Sequence, residues 1–398
     1  MNTLSVSLKQ HSPLIHFQCF EPGATLRATE LKPKLDRFLH AKLNNSELNT
    51  SVLNTSWYNN FDKKSLNYKI SIKYNGGFDY YLPFGFLSRN NSQVLEDKLK
   101  QYNNTIKILS NTPFFANMDK QHVSEMSFAN LAKEEIALTF SSYHAELITQ
   151  ITKHLAEFFL HENFGTRQNK GFGSFTVSSI NNKKISECNG KSIFFAKSAY
   201  DHNNINSALR FINEQHQILK SGKNFRNYIK SRLCVYFKKE NISWEKAFFK
   251  NKINANRINN KELYHTWQHQ IAYRENDQYK LIRPLLGLSD KYEFLTTFYN
   301  NKGEKRIDRR HKYIVTINNG EIQRYKSPLF YKIINNKVYI KANVNSDIMN
   351  KSFEVKVKLE GNGMDSINYL GTLTTPDSFD ISDFLKKGLN NNQWELIE

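Results

Sequence analysis

The chain has 398 residues, with 56 Lys and Arg against 37 Asp and Glu, a formal charge of +19. Apolar residues make up 39% and aromatics 13%, and 29 Phe with 20 Tyr exclude a disordered basic tail. A folded protein with such a surplus points to a polyanionic partner, because Lys and Arg displace counterions from phosphates. Cys19, Cys188 and Cys234 are far apart and never paired as CxxC. That excludes a disulfide framework or cysteine-rich zinc site and predicts a reducing compartment. No basic stretch leads into an apolar core at the N-terminus, and no apolar run approaches ~18 residues. We expect a cytoplasmic protein without membrane segment, metal or cofactor.

Residues Thr3 to Phe20 alternate and carry β-favouring types, which predicts a strand containing Ser12-Pro13-Leu14-Ile15. Leu31, Leu35, Phe38, Leu39 and Leu43 predict an amphipathic helix over 31–43, with Pro33 in its first turn, where a missing N–H matters least. Residues 44–66 read as an inserted loop. Tyr68–Tyr74, Asn75-Gly76-Gly77 and Phe78–Phe86 spell a hairpin. A short helix is expected over 94–102 and strands over 105–109 and 135–141. The apolar face of Leu147, Ile148, Ile151, Leu155, Phe158 and Phe159 predicts a helix over 143–161 that ends in Gly165. A strand over 172–180 follows. The resulting order, β-α-β-β-α-β, is the ferredoxin-like (RRM-like) pattern, a scaffold that often binds RNA on its sheet.

The remainder reads as a second unit. Helices are expected over 204–219 and 224–239, and strands over 312–317 and 322–326, paired across Asn318-Asn319-Gly320. Further strands are expected over 338–344 and 353–359, with a last helix over 377–387. A four-residue echo links Ser12-Pro13-Leu14-Ile15 to Ser327-Pro328-Leu329-Phe330, with Thr112-Pro113-Phe114-Phe115 as a weaker third instance.

Two stretches could carry chemistry. In Phe164-Gly165-Thr-Arg167-Gln-Asn-Lys170-Gly171-Phe172-Gly173-Ser174, three glycines and two cations follow a helix and precede a strand. Glycine lets a backbone approach a ligand and expose its N–H groups, and Arg167 and Lys170 add charge suited to phosphates. The plainer reading is a structural connection with Gly165 as helix cap. It is neither a Walker loop nor a dinucleotide fingerprint. At the start of the first helix, Arg27, Lys32 and Lys34 cluster where the helix dipole also favours anions, or else they form a solvated face.

A strand bearing Ser12-Pro13-Leu14, then Leu26-Arg27-Ala28 leading into Leu35-Asp36-Arg37-Phe38-Leu39, resembles the opening of RAMP-superfamily proteins, the repeat-associated subunits of CRISPR effector complexes. The Gly165–Ser174 loop resembles their glycine-rich signature. Arg283-Pro284-Leu285-Leu286-Gly287-Leu288, the region from Arg306 to Lys312, and Arg324 to Leu329 resemble later elements. The layout is most like that of the large RAMP subunit of type III-B (Cmr) complexes. Departures lie at His16-Phe17-Gln18, where the family usually has a glycine, and at Thr29–Lys34, where it often has a small segment.

This resemblance implies an α+β fold of two ferredoxin-like domains with insertions. The first would span residues 1–185 with an inserted hairpin region 44–135, and the second, with a helical insert, residues 186–398. The partners implied are guide or target RNA and other CRISPR effector subunits. Arg27, Arg167, Lys170, Gly171 and Gly173 would contact the guide backbone, with Gly165, Phe172, Lys32 and Lys34 beside them. Arg306, Arg309, Arg310 and Lys312 would form a second basic patch, with Tyr313 and Tyr325 near for stacking; a charged, protected edge strand is the alternative. We expect no catalysis. The alternative is a metal-independent endoribonuclease with His40 as general base and Arg37, one turn earlier, on the phosphate. Helical spacing puts His40 off the apolar face, and no motif singles out Asp119 or Asp308 as a cleaving acid. The basic surplus over 220–261 receives no role.

Overall fold

The computed structural model describes residues 1–16, 25–44, 54–60, 62, 64–83, 106–109, 129–185, 193–224, 228–255, 278–289, 291–299, 305–343, 346–360, 367–389 and 392–397. They form two units. The first comprises Met1–Asn213, Phe330–Lys341 and Asn392–Glu398, and the second Glu214–Leu329 and Ala342–Asn391.

The first unit is built on β1 (Asn2–Gln10), which buries Leu4, Val6 and Leu8 on one face by simple alternation. The expected continuous strand breaks at Ser12-Pro13, where proline lacks a ladder donor, and resumes as the two-residue β2 (Leu14–Ile15). Helix α1 spans Ala28–Leu43 and buries Leu31, Leu35 and Leu39. It starts three residues earlier than expected, so Pro33 falls beyond its first turn. Pro33 is exposed, so water can serve the carbonyl it leaves without an intrahelical donor. Part of the expected loop is structured. Trp57 and Leu66 are buried in the same core, and Tyr58–Asn60 pairs with Ser65–Leu66.

Strands β3 (Lys69–Lys73) and β4 (Phe78–Pro83) exist but are not a hairpin. The same split recurs at β5 (Ala129–Ala132) and β6 (Ile136–Ser142). β3 pairs with β6, whereas β4 pairs with β5 and with Ile106–Leu109. Both turns bend the chain from one sheet to the other and are stitched together, with Lys133 N–H donating to the Gly77 carbonyl at 3.0 Å. The hairpin signature specified the bend correctly but not the pairing. Helix α2 (Ala145–His161) buries Leu147, Ile151, Leu155 and Phe158, and β7 (Phe175–Ile180) returns beside β1. The main sheet therefore runs β7-β1-β6-β3, all antiparallel, with Lys183–Lys184 outside β7. Counted along the β-α-β-β-α-β order, that is fourth, first, third, second. A further sheet orders Leu329–Ile334, Lys337–Ala342, Ala196–Ser198 and Trp394–Leu396. The helix expected over 94–102 lies outside the described residues.

Helix α3 spans Ile205–Lys220. The helix expected over 224–239 is only α4 (Arg232–Lys238), preceded by the small pair Lys223–Asn224 and Tyr228–Ile229. The Ser231 hydroxyl accepts from Cys234 N–H at 3.2 Å and sets that later start. In the second unit, α5 (Glu245–Ala255) and Leu281 pack Phe249 and Ile253 against a sheet of β8 (Lys291–Tyr299), β9 (Lys305–Asn318), β10 (Ser352–Glu360) and β11 (Ile367–Thr374). Its strands lie side by side in chain order. This meander differs from the expected second split βαβ arrangement, because α5 precedes the sheet rather than separating its strands. No strand forms over 322–326. The Asn319 side chain accepts from the N–H groups of Glu321 and Ile322, each at 2.8 Å, and turns the chain away. Helix α6 (Ile381–Gly388) is capped by Asp380, which accepts from Ser382 and Asp383 N–H. The molecule is thus a mixed α/β protein dominated by antiparallel sheets.

Candidate nucleic-acid interface

The glycine-rich loop begins earlier than expected. The chain leaves α2 at Glu162 in extended conformation, so Gly165 is not the helix cap. Asn163, fully buried, pairs its backbone with Ser174. Its side-chain NH2 donates to the carbonyls of Gln168 (2.7 Å) and Tyr331 (2.9 Å), and its oxygen accepts from Lys332 Nζ at 3.0 Å. Lys332 is wholly buried and also donates to the Glu162 carbonyl at 2.8 Å. Burial first, then the neighbouring Lys341, holds its amine well below the usual lysine range.

The loop's N–H groups are largely occupied within the protein. Phe164 donates to the Gly173 carbonyl (2.9 Å), Thr166 to Ile15 (2.9 Å), Lys170 to Arg167 (2.8 Å) and Gly173 to Pro13 (2.8 Å). Gly165 donates to Glu30 Oε1 at 2.9 Å, and Ser174 to the Ser12 hydroxyl at 2.9 Å. The N–H groups of Gly165 and Gly173, expected to face a phosphate, thus have acceptors within the protein. Both residues are glycine for a steric reason. Gly173 has φ +65°, and a Cβ there would collide with the Phe164 carbonyl oxygen. Gly165 has φ +77°, and its Cβ would lie 2.5 Å from the Ile15 carbonyl oxygen. Gly171 and Phe172 are buried beside them.

The expected cations separate into two kinds. Lys32 Nζ sits 2.7 Å from Asp36 Oδ2 and 2.8 Å from the Leu66 carbonyl, over the Tyr68 ring. Lys34, 13% exposed, donates to the Asn163 carbonyl (2.7 Å) and Gln168 Oε1 (2.6 Å), near Glu30 and Glu162. Both tie segments of the first unit together. Arg27 is exposed at the N-cap of α1, and Arg167 and Lys170 are half-buried. Arg167 adopts φ +57°, a left-handed conformation uncommon for a side-chain-bearing residue. Through Glu30 and Lys34, the helix start and the loop, far apart in sequence, become one surface. Asn163, Glu30, Ser12 and Lys332 were not singled out as braces by the sequence; the Ser12-Pro13-Leu14 echo was the available signal for Ser12.

The second patch also divides. Lys312 is held between Glu293 (3.3 Å) and Glu360 (3.2 Å), and the hydrogen bond to Glu360 raises its pKa. It is therefore a cross-strand tie. Arg306 stands opposite Phe298 on β9. Between the pairs Leu295–Lys312 and Thr296–Asp308, residues Arg309, Arg310 and His311 form a bulge. Pairing with β10 begins at Lys312 among the described residues, so the Arg-bearing end forms a two-stranded ribbon with β8. Tyr313 is buried in the core and Tyr325 is 9% exposed, so neither is an open stacking platform.

His40 is half-buried, with Asn44 Nδ2 2.9 Å from its Nε2 and Tyr58 edge-on. Burial first, then Lys64, lowers its pKa. Arg37 is exposed on the same helix. Among the described residues no three His, Cys, Asp or Glu side chains group as a metal site, and no helix is long and apolar enough to cross a membrane.

Comparison with known families is decisive. Residues 1–223 match the Cmr1 N-terminal domain and residues 228–397 match the Cmr1 C-terminal domain. The chain belongs to the Cmr1 family. The braced loop and α1 fall within the Cmr1 N-terminal domain, and the β8–β9 ribbon within the Cmr1 C-terminal domain. No curated protein matches the chain. Among solved structures, a chain of the cryo-EM structure of the type III-B Cmr-beta complex bound to cognate target RNA is similar at 10% identity and TM-score 0.28. The likeness covers 46% of this chain and 61% of that one. The crystal structure of apo Cmr1 from Pyrococcus furiosus is similar at 8% identity and TM-score 0.34, over 86% of this chain and 89% of that one.

Proposed function

We propose that this Cmr1-family chain is a non-catalytic RNA-binding subunit of a type III-B CRISPR ribonucleoprotein. It would hold guide RNA or a guide–target duplex by the sugar–phosphate backbone. The observation that carries this reading is the braced surface of the first unit, where Arg27 heads α1 and Arg167 and Lys170 ride a loop fastened to that helix through Glu30 and Lys34. Such contacts fix the strand's path without reading its bases, and base pairing supplies sequence. The Arg306–Arg310 ribbon is the second contact. The fourth-first-third-second strand order of the first unit supports a ferredoxin-like RNA-binding domain. Its partners would be RNA and the other effector subunits, in the cytoplasm.

The test is incubation of the pure chain with CRISPR repeat RNA in EDTA, followed on a denaturing gel and by band shift. The RNA should shift and remain intact. Specific cleavage abolished by His40→Ala would make the chain an endoribonuclease instead.

A further inference from the structure

Helix α5 opens with Glu245, whose side chain is fully buried in the second unit. Both of its oxygens are taken. Arg283 Nε donates to Oε1 at 2.6 Å and Ile282 N–H to Oε2 at 3.1 Å. Tyr292 fixes the guanidinium from the side, with the ring centroid 4.0 Å from Arg283 Cζ. Arginine has five N–H donors in one plane. Here Nε–H alone is engaged among the described residues, and the side chain keeps 19% exposure. The guanidinium is therefore held by Glu245 and Tyr292 in a partly exposed side chain, and a planar fork so held suits two oxygens of one anion.

Cations crowd this fork. Lys246 Nζ lies 5.5 Å and Arg283 Cζ 5.8 Å from the centroid of the same Trp244 ring. Lys220, half-buried, donates to the Gly287 carbonyl at 2.6 Å just beyond Arg283. Among the described residues, Arg283, Lys220 and Lys246 thus gather near one carboxylate, Glu245, whose two oxygens already accept from Arg283 and Ile282. Partly buried cations are ordinarily matched by anions, so this cluster favours a bound anion. Burial, then Arg283, pushes Lys220 down to about 8 and lowers Lys246. Burial, then Lys246, pushes Lys250, one turn along α5, down to about 8.

We propose that Arg283 and Lys246, flanking the Trp244 indole, form a phosphate site in the second unit that takes the backbone of single-stranded RNA. The site stands on its own geometry; only the identity of the phosphate donor rests on the RNA-binding function proposed above. It gives the Arg283-Pro284-Leu285-Leu286-Gly287 segment a role as the turn presenting the fork, and it accounts for part of the basic surplus over 220–261.

The test uses the full-length chain and Lys246→Gln, with inorganic phosphate, uridine monophosphate and a short oligouridine as probes. In phosphate-free buffer the variant should melt at or above the parent, because a repelling charge is gone. Phosphate should raise the parent's melting temperature and move the variant's less. Oligouridine affinity should fall about three- to tenfold in the variant, and its logarithmic salt slope should shrink by about 0.7. Arg283→Lys, which keeps the charge but removes the fork, should show the same loss. Equal oligouridine affinity and salt slope in parent and Lys246→Gln overturns the RNA assignment. If phosphate or the mononucleotide nonetheless shifts only the parent, the site belongs to a small phosphate compound. If phosphate protects through Lys246 while the parent binds no RNA, the site stands and the RNA-binding function falls. If phosphate shifts parent and variant equally, there is no site.

Discussion

Lys34 Nζ lies 2.6 Å from Gln168 Oε1, joining the first helix to a loop more than a hundred residues away. The same ammonium reaches the Asn163 carbonyl at 2.7 Å, so one cation fastens the loop to the helix at two points. Lys34→Met keeps most of the stem and removes the donors. It should cost about 1–2 kcal/mol, a value moderated by the part-exposed Glu30 and Glu162 partners, and read as a lower urea midpoint. An unchanged midpoint with weakened RNA binding would make Lys34 a phosphate ligand rather than a tie.

Gly173→Ala should be severe. The left-handed backbone and the collision with Phe164 add to about 3 kcal/mol or more, enough to reduce soluble yield. Gly320→Ala is the control, since a Cβ there meets nothing within 4 Å. Comparable melting temperatures for the two variants would show that the loop is not closed against Phe164.

Arg167→Ala combined with Lys170→Ala should weaken RNA binding about tenfold at low salt while moving the melting temperature little. Alanine leaves the loop's backbone bonds in place, including Lys170 N–H to the Arg167 carbonyl. A stability loss matching that of Gly173→Ala would assign both side chains to structure.

His11 supplies a pH signature. Its Nδ1 accepts from Asn335 N–H at 3.3 Å and its Nε2 meets the Thr176 hydroxyl at 2.7 Å. Protonating Nδ1 would set a proton against an N–H donor. Burial first, then Lys332 and Lys9, pushes its pKa down to about 3. The unfolded chain binds that proton near 6.5, so between these values the unfolded state holds more protons and stability falls as pH falls. His11→Gln, which keeps an acceptor and a donor, should flatten the melting temperature between pH 6.5 and pH 4. An unaltered acid limb would place the titration elsewhere.

Much of the first unit was legible because local pattern and tertiary pairing agree there. The apolar stripes of α1 and α2 and the alternation of β1 each specify a buried face, and the β-α-β-β-α-β order leads to the observed sheet. The pairing of β3 and β4 was not legible. Asn75-Gly76-Gly77 encodes a reversal, and only the distant strands β5 and β6 decide that the chain changes sheets. In the site, sequence identified the glycine loop and the cations but could not divide ties from candidate contacts. Lys32, Lys34 and Lys312 look identical to Arg27 on paper. Their carboxylate and carbonyl partners lie up to 129 residues away, as for Lys34 and Asn163. Likewise the glycines signalled backbone closeness, which the structure realises against Phe164 and Ile15.

The central claim is backbone recognition of RNA, and filter binding of the pure chain to single-stranded RNA across a salt series tests it most directly. The logarithm of the affinity should fall linearly with the logarithm of salt, with slope about −0.7 per phosphate contacted, and depend little on sequence. No binding at low salt, or binding that is indifferent to salt, would contradict it.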